Sequence, residues 1–301
     1  PMNVKTLLII FTVCLIASIP FVTKGHDDTG PGAVRVVKDL SYAGSNNPAQ
    51  TLDLYLPTGG KPNKLLPLVV FIHGGAWLQG DKADSPGLIM AQHGFALASI
   101  NYRLTNEAIF PAQIEDCRQA ISYLRKNADK WGIDPSRIGV WGVSAGGHLA
   151  SLLGTSGSRE KPEEQVQAVL NWCGLSDLMT VNEQSGSRTK IDYEDENGPV
   201  AKFLGGRETK KPELAREASP VTYVSKDDPP FLIVHGDIDD VVPYAQSQEL
   251  YEKLKKAGVP CRLITIKGGG HMFGNEEEYK HAMQFFQSTI VQGRRDFVLE
   301  D

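Results

Sequence analysis

The sequence predicts an α/β fold in which a mostly parallel central sheet is covered by helices on both faces and carries a small lid insertion. Two observations support this prediction. Short, continuously apolar runs, which are typical of strands buried on both faces, recur along the chain. They alternate with longer amphipathic segments that are typical of helices, and such an alternation favours parallel strands joined by helical crossovers.

The strand predictions come from these apolar runs in chain order. Two early strands flank the turn-rich stretch 44–48, and the run PLVVFI at 67–72 is the clearest buried strand. The predicted strands are Arg35–Val37, Thr51–Tyr55, Pro67–Ile72, Phe95–Asn101, Arg137–Trp141, Ala168–Trp172, Pro230–His235 and Cys261–Ile266.

The helix predictions come from apolar residues at helical spacing. In Pro111–Asp129 the apolar residues Ile114, Ala120, Ile121 and Leu124 are separated by charged ones. A second helix continues through His148–Leu153, after the strand that ends at Trp141. Ser247–Ala257 is amphipathic and is stopped by Gly258, and Glu276–Val291 is the last predicted helix.

One stretch breaks this rhythm. Residues 176–221 are polar and charged and carry few strand signals, yet they separate the strands that begin at 168 and 230. A connection of this length inside a compact domain is usually functional. We therefore expect a single domain over residues 25–301, with a lid insertion at about 176–221.

The N-terminus predicts a targeting segment. Lys5 precedes an apolar run from Leu7 to Ile19, and this run is too short to span a bilayer, which takes about 20 apolar residues. We interpret residues 1–24 as a signal peptide and expect a secreted or periplasmic protein whose mature form has no stable membrane insertion. An uncleaved anchor and a chance apolar tail are the alternatives.

The overall composition narrows the function classes. A hydrophobic content of 41% excludes a disordered chain, and 31 basic against 36 acidic residues give a net charge of −5 without a basic block. We expect no nucleic-acid partner. Beyond the signal segment Cys117, Cys173 and Cys261 remain, so at most one disulfide can form within the chain, and their spacing matches no metal motif. Neither disulfide bonding nor oligomeric state follows from the sequence.

The chemistry begins at Ser144. Residues 142–146 read Gly-Val-Ser-Ala-Gly, which matches the G-x-S-x-G motif between a predicted strand and a predicted helix. The turn is tight, and a side chain at Gly142 or Gly146 would collide with neighbouring chain. Ser144 is therefore the candidate nucleophile, and a glycine-rich turn with an idle serine is the alternative.

A serine nucleophile needs a base, and the base needs an orienting acid. His271 follows three glycines after the last predicted strand and is the candidate base, whereas His281 lies inside a helix, where we expect a solvated residue. The acid should follow the strand that ends at His235, where Asp237, Asp239 and Asp240 are all available. Local spacing alone does not choose among them.

A developing oxyanion needs fixed N–H donors. The backbone of Ala145, directly after the nucleophile, supplies one at the start of the helix. The other donors should come from the loop after the strand ending at Ile72, which reads His-Gly-Gly-Ala-Trp at 73–77. Small residues there let the backbone approach a substrate carbonyl.

Five motifs together resemble a known family. They are HGGAW at 73–77, NYRL at 101–104, GVSAGGHLA at 142–150, HGDIDDVVP at 235–243 and GGGH at 268–271. The chain resembles α/β-hydrolases of the hormone-sensitive-lipase-like esterase group. It is most similar to their small bacterial branch of feruloyl- or acetyl-xylan-esterase-like proteins, the BD-FAE type. The resemblance covers about Thr51 to Val291 and implies the α/β-hydrolase fold.

The resemblance also implies site residues. It assigns the acid to Asp239 and the oxyanion donors to Gly75 and Ala76, and it makes His73 and His148 structural. The family usually has glycine where this chain has Ala76, whose N–H can still donate if its φ is negative. A serine carboxylesterase without metal or cofactor is implied. Its substrates would be short acyl esters, or acetylated and feruloylated carbohydrates such as plant polysaccharide.

Some readings stay open. Trp77, Leu104 and Trp172 lie near predicted strand ends and could line a substrate pocket or simply pack in the core. Residues 192–198 superficially resemble a calcium loop, but the glycine falls one place late, which favours a solvated lid. The functional alternatives are an amide-directed hydrolase, prolyl-peptidase-like or arylformamidase, and a catalytically dead binding protein.

Overall fold

A computed structural model describes residues 33–58, 64–157, 161–271 and 274–300. The predicted signal segment, residues 1–24, lies outside these ranges. The described strands are β1 (Val34–Ser41), β2 (Thr51–Pro57), β3 (Leu66–Ile72), β4 (Ala96–Ile100), β5 (Ile133–Val143), β6 (Ala168–Trp172), β7 (Phe231–Gly236) and β8 (Cys261–Ile266). The described helices are α1 (Gly87–Gln92), α2 (Ala112–Lys126), α3 (Ala128–Trp131), α4 (Ala145–Thr155), α5 (Val181–Ser185), α6 (Pro199–Leu204), α7 (Pro212–Glu217), α8 (Tyr244–Ala257) and α9 (Glu276–Phe286).

These strands form one sheet in the order β1-β2-β4-β3-β5-β6-β7-β8. In sheet order from β4 to β8 the neighbouring described strands are parallel, and β2 is antiparallel to both of its neighbours, β1 and β4. The predicted mostly parallel sheet is therefore confirmed. Because parallel strands end at the same edge, the loops after β3, β5, β6, β7 and β8 come together there.

The central strands are buried on both faces because successive side chains alternate between two cores. In β3, Leu68, Val70 and Ile72 join the larger core, which also contains residues of α2, α4 and α8. The intervening Val69 and Phe71 join the second core together with residues of α1 and α9. This two-sided burial explains why the strand reads as an unbroken apolar run.

Several element boundaries differ from the sequence predictions. The predicted helix 111–129 ends at Lys126, and α3 follows after Asn127 before Gly132 stops it in the left-handed region at φ 66°. Helix α1 was not predicted because its six residues are too few to show a helical period. The last helix passes at Gln287–Val291 into a π-helical turn.

The insertion between β6 and β7 packs against the domain rather than standing apart from it. Its helices α5, α6 and α7 contribute Val181, Phe203 and Ala215 to the larger core. The ring of Phe203 stacks on Trp77 with centroids 4.2 Å apart. Within the described ranges, no helix combines the length and apolar character required to cross a membrane.

Candidate active site

Ser144 lies on a strained turn between β5 and α4. Its backbone has φ 55° and ψ −120°, outside the usual regions for a residue with a Cβ. The flanking glycines make this turn possible. A Cβ on Gly142 would lie 2.0 Å from the Gly146 carbonyl oxygen, and one on Gly146 would lie 2.0 Å from that of Ile72. The structure thus shows the collisions that the sequence analysis predicted.

Backbone hydrogen bonds hold the serine from both sides. The N–H of Ser144 donates to the carbonyl of Trp172 at 2.7 Å, and its own carbonyl accepts from the N–H of His148 at 3.0 Å. His148 is fully buried and its Nε2 lies 2.6 Å from the Ala218 carbonyl, next to the end of the insertion. Burial lowers the pKa of His148 to about 4, so it packs as a neutral ring.

The predicted base and acid meet Ser144 in a line. His271 lies in the loop after β8, and its Nε2 is 3.0 Å from Ser144 Oγ. Its Nδ1 is 2.7 Å from Asp239 Oδ2. The imidazole therefore connects the serine hydroxyl to a carboxylate, which is the arrangement of a nucleophile, a base and an orienting acid.

The loop after β7 gives its three aspartates three different partners. Asp239 is buried, and its Oδ1 accepts the N–H groups of Val241 and Val242 at 2.8 and 2.9 Å. Asp237 instead accepts the N–H of Gly268 at 2.7 Å, and Asp240 forms an ion pair with Lys190 of the insertion. Among these aspartates, only Asp239 contacts His271 through its side chain.

The electrostatics of Asp239 and His271 favour a charged carboxylate on Asp239. Burial alone raises the pKa of Asp239, but hydrogen bonds from His235 and His271 outweigh it and hold the pKa well below its usual range. Burial alone lowers the pKa of His271, but the neighbouring Cys173 sulfur and Asp239 outweigh it and raise the pKa. The site is thus built to stabilise an imidazolium beside an ionised aspartate.

The predicted oxyanion loop lies against the nucleophile. A Cβ on Gly74 would be only 3.3 Å from Ser144 Cβ. Leu78 and Gln79 make the loop's turn by donating to the Gly75 carbonyl. Among the described residues, this turn does not use the N–H groups of Gly75 and Ala76, the predicted oxyanion donors.

The backbone of this loop departs from the expected one. We expected a negative φ at Ala76, but its φ is 55°, with 106° at Gly75 and 59° at Trp77, so this expectation was wrong. The left-handed conformation explains why glycine is usual at position 76. Because the turn of the loop does not use the N–H of Ala76, this group is still a candidate donor despite the positive φ. His73 supports the loop by stacking on Tyr102 at 4.5 Å, and the Tyr102 hydroxyl donates to the His73 carbonyl.

The tentative pocket residues are mainly core residues. Trp77 is 1% exposed and packs against His148 and Phe203, and Trp172 is 4% exposed and packs against Trp141. Leu104 is half-buried against the larger core. For the two tryptophans the structure favours packing over a role as pocket walls, because so little of their surface is open to a ligand.

Three residues around the line from Ser144 through His271 to Asp239 did not stand out in the sequence. The buried His235 has its Nε2 3.0 Å from Asp239 Oδ2. The Tyr193 hydroxyl, from the insertion, donates to the Val241 carbonyl at 2.8 Å. Cys173 is buried at the end of β6, with its Sγ 3.6 Å from the His271 carbonyl. A histidine ending a buried strand was the one available signal, in the motif at 235–243.

The remaining polar clusters are accounted for by protein contacts. Ligand atoms of Cys173, Asp239 and His271 lie within 4.8 Å of one another, but the imidazole of His271 is already engaged by Asp239 and Ser144. In the stretch 192–198, Asp192 and Asp195 accept hydrogen bonds from the N–H groups two residues ahead.

Cys117, Cys173 and Cys261 are all free thiols, and His281 is half-buried rather than solvated.

Comparison with known proteins assigns the family. The BD-FAE family model matches residues 52–254, which is more than half of the chain. The chain belongs to the BD-FAE family. Esterase LipC of Mycobacterium tuberculosis is 32% identical over 273 residues, covering 85% of this chain and 66% of that protein. The chain spans about half to two thirds of the length of the curated relatives that it matches.

Solved structures support the same assignment for the BD-FAE domain. A truncated carbohydrate esterase from gut microbiota superposes with a TM-score of 0.76 at 33% identity, covering 85% of this chain and 96% of that one. An acetyl ester-xyloside bifunctional hydrolase from Caldicellulosiruptor lactoaceticus gives a TM-score of 0.65 at 25% identity, covering 83% and 92%. These findings confirm the α/β-hydrolase fold and identify a carboxylic ester hydrolase domain.

Proposed function

We propose that this protein is a serine carboxylesterase that hydrolyses short-chain acyl esters, with acetyl or feruloyl esters of plant polysaccharide as its natural substrate class. The observation that carries the proposal is the line from Ser144 Oγ through the His271 ring to Asp239, with contacts of 3.0 and 2.7 Å. The similarity to a carbohydrate esterase and to an acetyl ester-xyloside bifunctional hydrolase supports the substrate class. The predicted signal segment would place the enzyme outside the cytoplasm, where such esters occur.

The first half of the reaction transfers the acyl group to the serine. Ser144 Oγ attacks the ester carbonyl carbon while His271 Nε2 takes the hydroxyl proton. The carbonyl electron pair becomes an oxyanion, which accepts hydrogen bonds from the N–H groups of Gly75, Ala76 and Ala145. When the tetrahedral intermediate collapses, the carbon–oxygen bond to the alcohol breaks, and the alcohol leaves with the proton from His271.

Water completes the cycle by the same route. It attacks the acyl carbonyl, gives its proton to His271, and the acid leaves as Ser144 Oγ recovers that proton. Asp239 keeps Nδ1 of His271 protonated and stabilises the imidazolium in both halves. Loss of one oxyanion donor typically raises such a barrier by about 2.7–4 kcal/mol.

The test is a series of p-nitrophenyl esters from acetyl to palmitoyl, run beside acetylated xylan, methyl ferulate and aryl amides. We expect the highest kcat/KM for the two- to four-carbon acyl groups and release of acetate or ferulate from the carbohydrate substrates. Ser144→Ala should lower kcat by about 10⁶-fold while the protein stays folded. Turnover of amides but not esters, or activity that survives in Ser144→Ala, would refute the proposal.

A further inference from the structure

The acid carries a second histidine. His235 is the last residue but one of β7 and is fully buried. Its Nε2 lies 3.0 Å from Asp239 Oδ2 and 3.1 Å from the Val242 carbonyl oxygen, and its Nδ1 lies 2.7 Å from Ser247 Oγ on α8. Both ring nitrogens are therefore engaged, one by the acid loop and one by a neighbouring helix.

These contacts fix where the proton lies on the ring. The Val242 carbonyl can only accept a hydrogen bond, so Nε2 of His235 must carry the hydrogen and donate it. The Ser247 hydroxyl then donates to Nδ1. Asp239 Oδ2 consequently accepts from two imidazoles at once, from His271 at 2.7 Å and from His235 at 3.0 Å.

We propose that His235 is a positioning residue for the reaction, which holds Asp239 Oδ2 against His271 and shares part of its negative charge. The proposal rests on the proposed function, since it needs His271 to act as the base. Because a carboxylate oxygen that is hydrogen-bonded elsewhere attracts a nearby cation less strongly, His235 moderates how far Asp239 stabilises the imidazolium. It therefore tunes the basicity of His271 as well as its orientation.

The other ionisable groups around this pair have partners of their own. Tyr193 faces Asp239 from the insertion, but burial and the Asp239 charge raise its pKa, so it stays a neutral donor to Val241. Cys173 faces His271 from the end of β6. The Tyr244 ring lies perpendicular to the His235 ring, and its hydroxyl is hydrogen-bonded to the Thr265 hydroxyl. Asp237 and Asp240, on the same loop, contact Gly268 and Lys190.

The test compares His235→Phe with His235→Gln. Phenylalanine keeps a ring but loses the donor, whereas glutamine keeps an N–H at about the position of Nε2. For His235→Phe we expect kcat to fall about 10- to 100-fold, the range of a lost hydrogen bond to a charged group, with KM within about twofold of the original. The midpoint of the acidic limb of the pH–rate profile should move to higher pH. His235→Gln should restore most of kcat and the original midpoint.

Ser247→Ala keeps the test decisive if His235→Phe does not fold. Without the hydroxyl the His235 ring loses its contact with α8 and is held by the acid loop alone, so we expect a smaller fall in kcat, about threefold, and a midpoint shift in the same direction. An unmoved midpoint in whichever of His235→Phe and Ser247→Ala folds, or equal losses of kcat in His235→Phe and His235→Gln, would overturn the proposal.

The role of His235 can be tested without knowing the natural ester. The rate at which a fluorophosphonate labels Ser144 reports the same base, and it can be followed across pH in each variant. Labelling without ester turnover would refute the proposed function and leave the role of His235 testable. Labelling rates with the same pH midpoint in wild type, His235→Phe and Ser247→Ala would refute that role alone.

Discussion

The nucleophile and the acid are held in place by different means. Ser144 is held by backbone geometry, since the turn around it has no room for a Cβ on Gly142 or Gly146. Asp239 is held by hydrogen bonds from His235, His271 and two backbone N–H groups. Steric confinement tolerates almost no substitution, whereas a set of hydrogen bonds loses strength one contact at a time.

The largest effect should come from the sterically confined side. In Gly146→Ala the new Cβ would lie 2.0 Å from the Ile72 carbonyl oxygen, which is backbone and cannot move aside. We expect a loss of about 3 kcal/mol in the free energy of unfolding, measured by urea denaturation. Gly157→Ala is the matched control, because among the described residues its Cβ would meet a single backbone oxygen, at 3.3 Å. Equal stability of the two variants would contradict the contrast.

On the hydrogen-bonded side the protein should fold but react slowly. Asp239→Asn keeps the size of the side chain and loses the charge, so the tautomer of His271 is no longer held for proton transfer. We expect kcat to fall about 10⁴-fold, as in other triads with this change. Circular dichroism should show an unchanged fold. A loss under tenfold would mean that Asp237 or Asp240 can orient the base instead.

The pH–rate profile reports how Asp239 affects the pKa of His271. His271 must lose its proton to act, and its pKa is raised above the ordinary value of about 6.5, so the wild-type rate should still climb with pH above that value. In Asp239→Asn the stabilising charge is gone and the acidic limb should shift to lower pH. A shift to higher pH would show that Asp239 does not stabilise the imidazolium.

The smallest effects should come from the contacts between the insertion and the acid loop. Tyr193→Phe removes the buried hydroxyl that donates to the Val241 carbonyl, and we expect kcat to fall about fivefold. Lys190→Gln removes an ion pair with Asp240 whose lysine side chain is 75% exposed, so less than a twofold change is expected. Steady-state kinetics of both variants would rank the contacts, and a larger effect at Lys190 would reverse the ranking.

Much of this site could be predicted because its signals are local. The G-x-S-x-G turn at Ser144 follows a buried strand and opens a helix, and His271 follows a glycine run after the last strand. Each residue can therefore be recognised from about ten residues of surrounding sequence. The alternation of apolar runs with amphipathic segments likewise predicted the sheet, because burial on both faces requires a continuous apolar strand.

Other features needed the tertiary structure. Asp237, Asp239 and Asp240 are equivalent in local spacing, and their roles differ because Gly268, His271 and Lys190 reach them from other parts of the chain. The left-handed backbone at Ala76 likewise depends on how its loop packs beside Ser144.

The fold class and the candidate nucleophile and base could be predicted from the sequence, because hydrophobic periodicity and turn chemistry act between near neighbours. That Trp77 and Trp172 are core residues follows only from the tertiary structure, since they are buried by Phe203, His148 and Trp141, which lie far away in the chain. The tertiary structure also brings His235 and His271 to the same carboxylate oxygen of Asp239. Long-range hydrogen bonds and packing choose among candidates that local patterns leave equal.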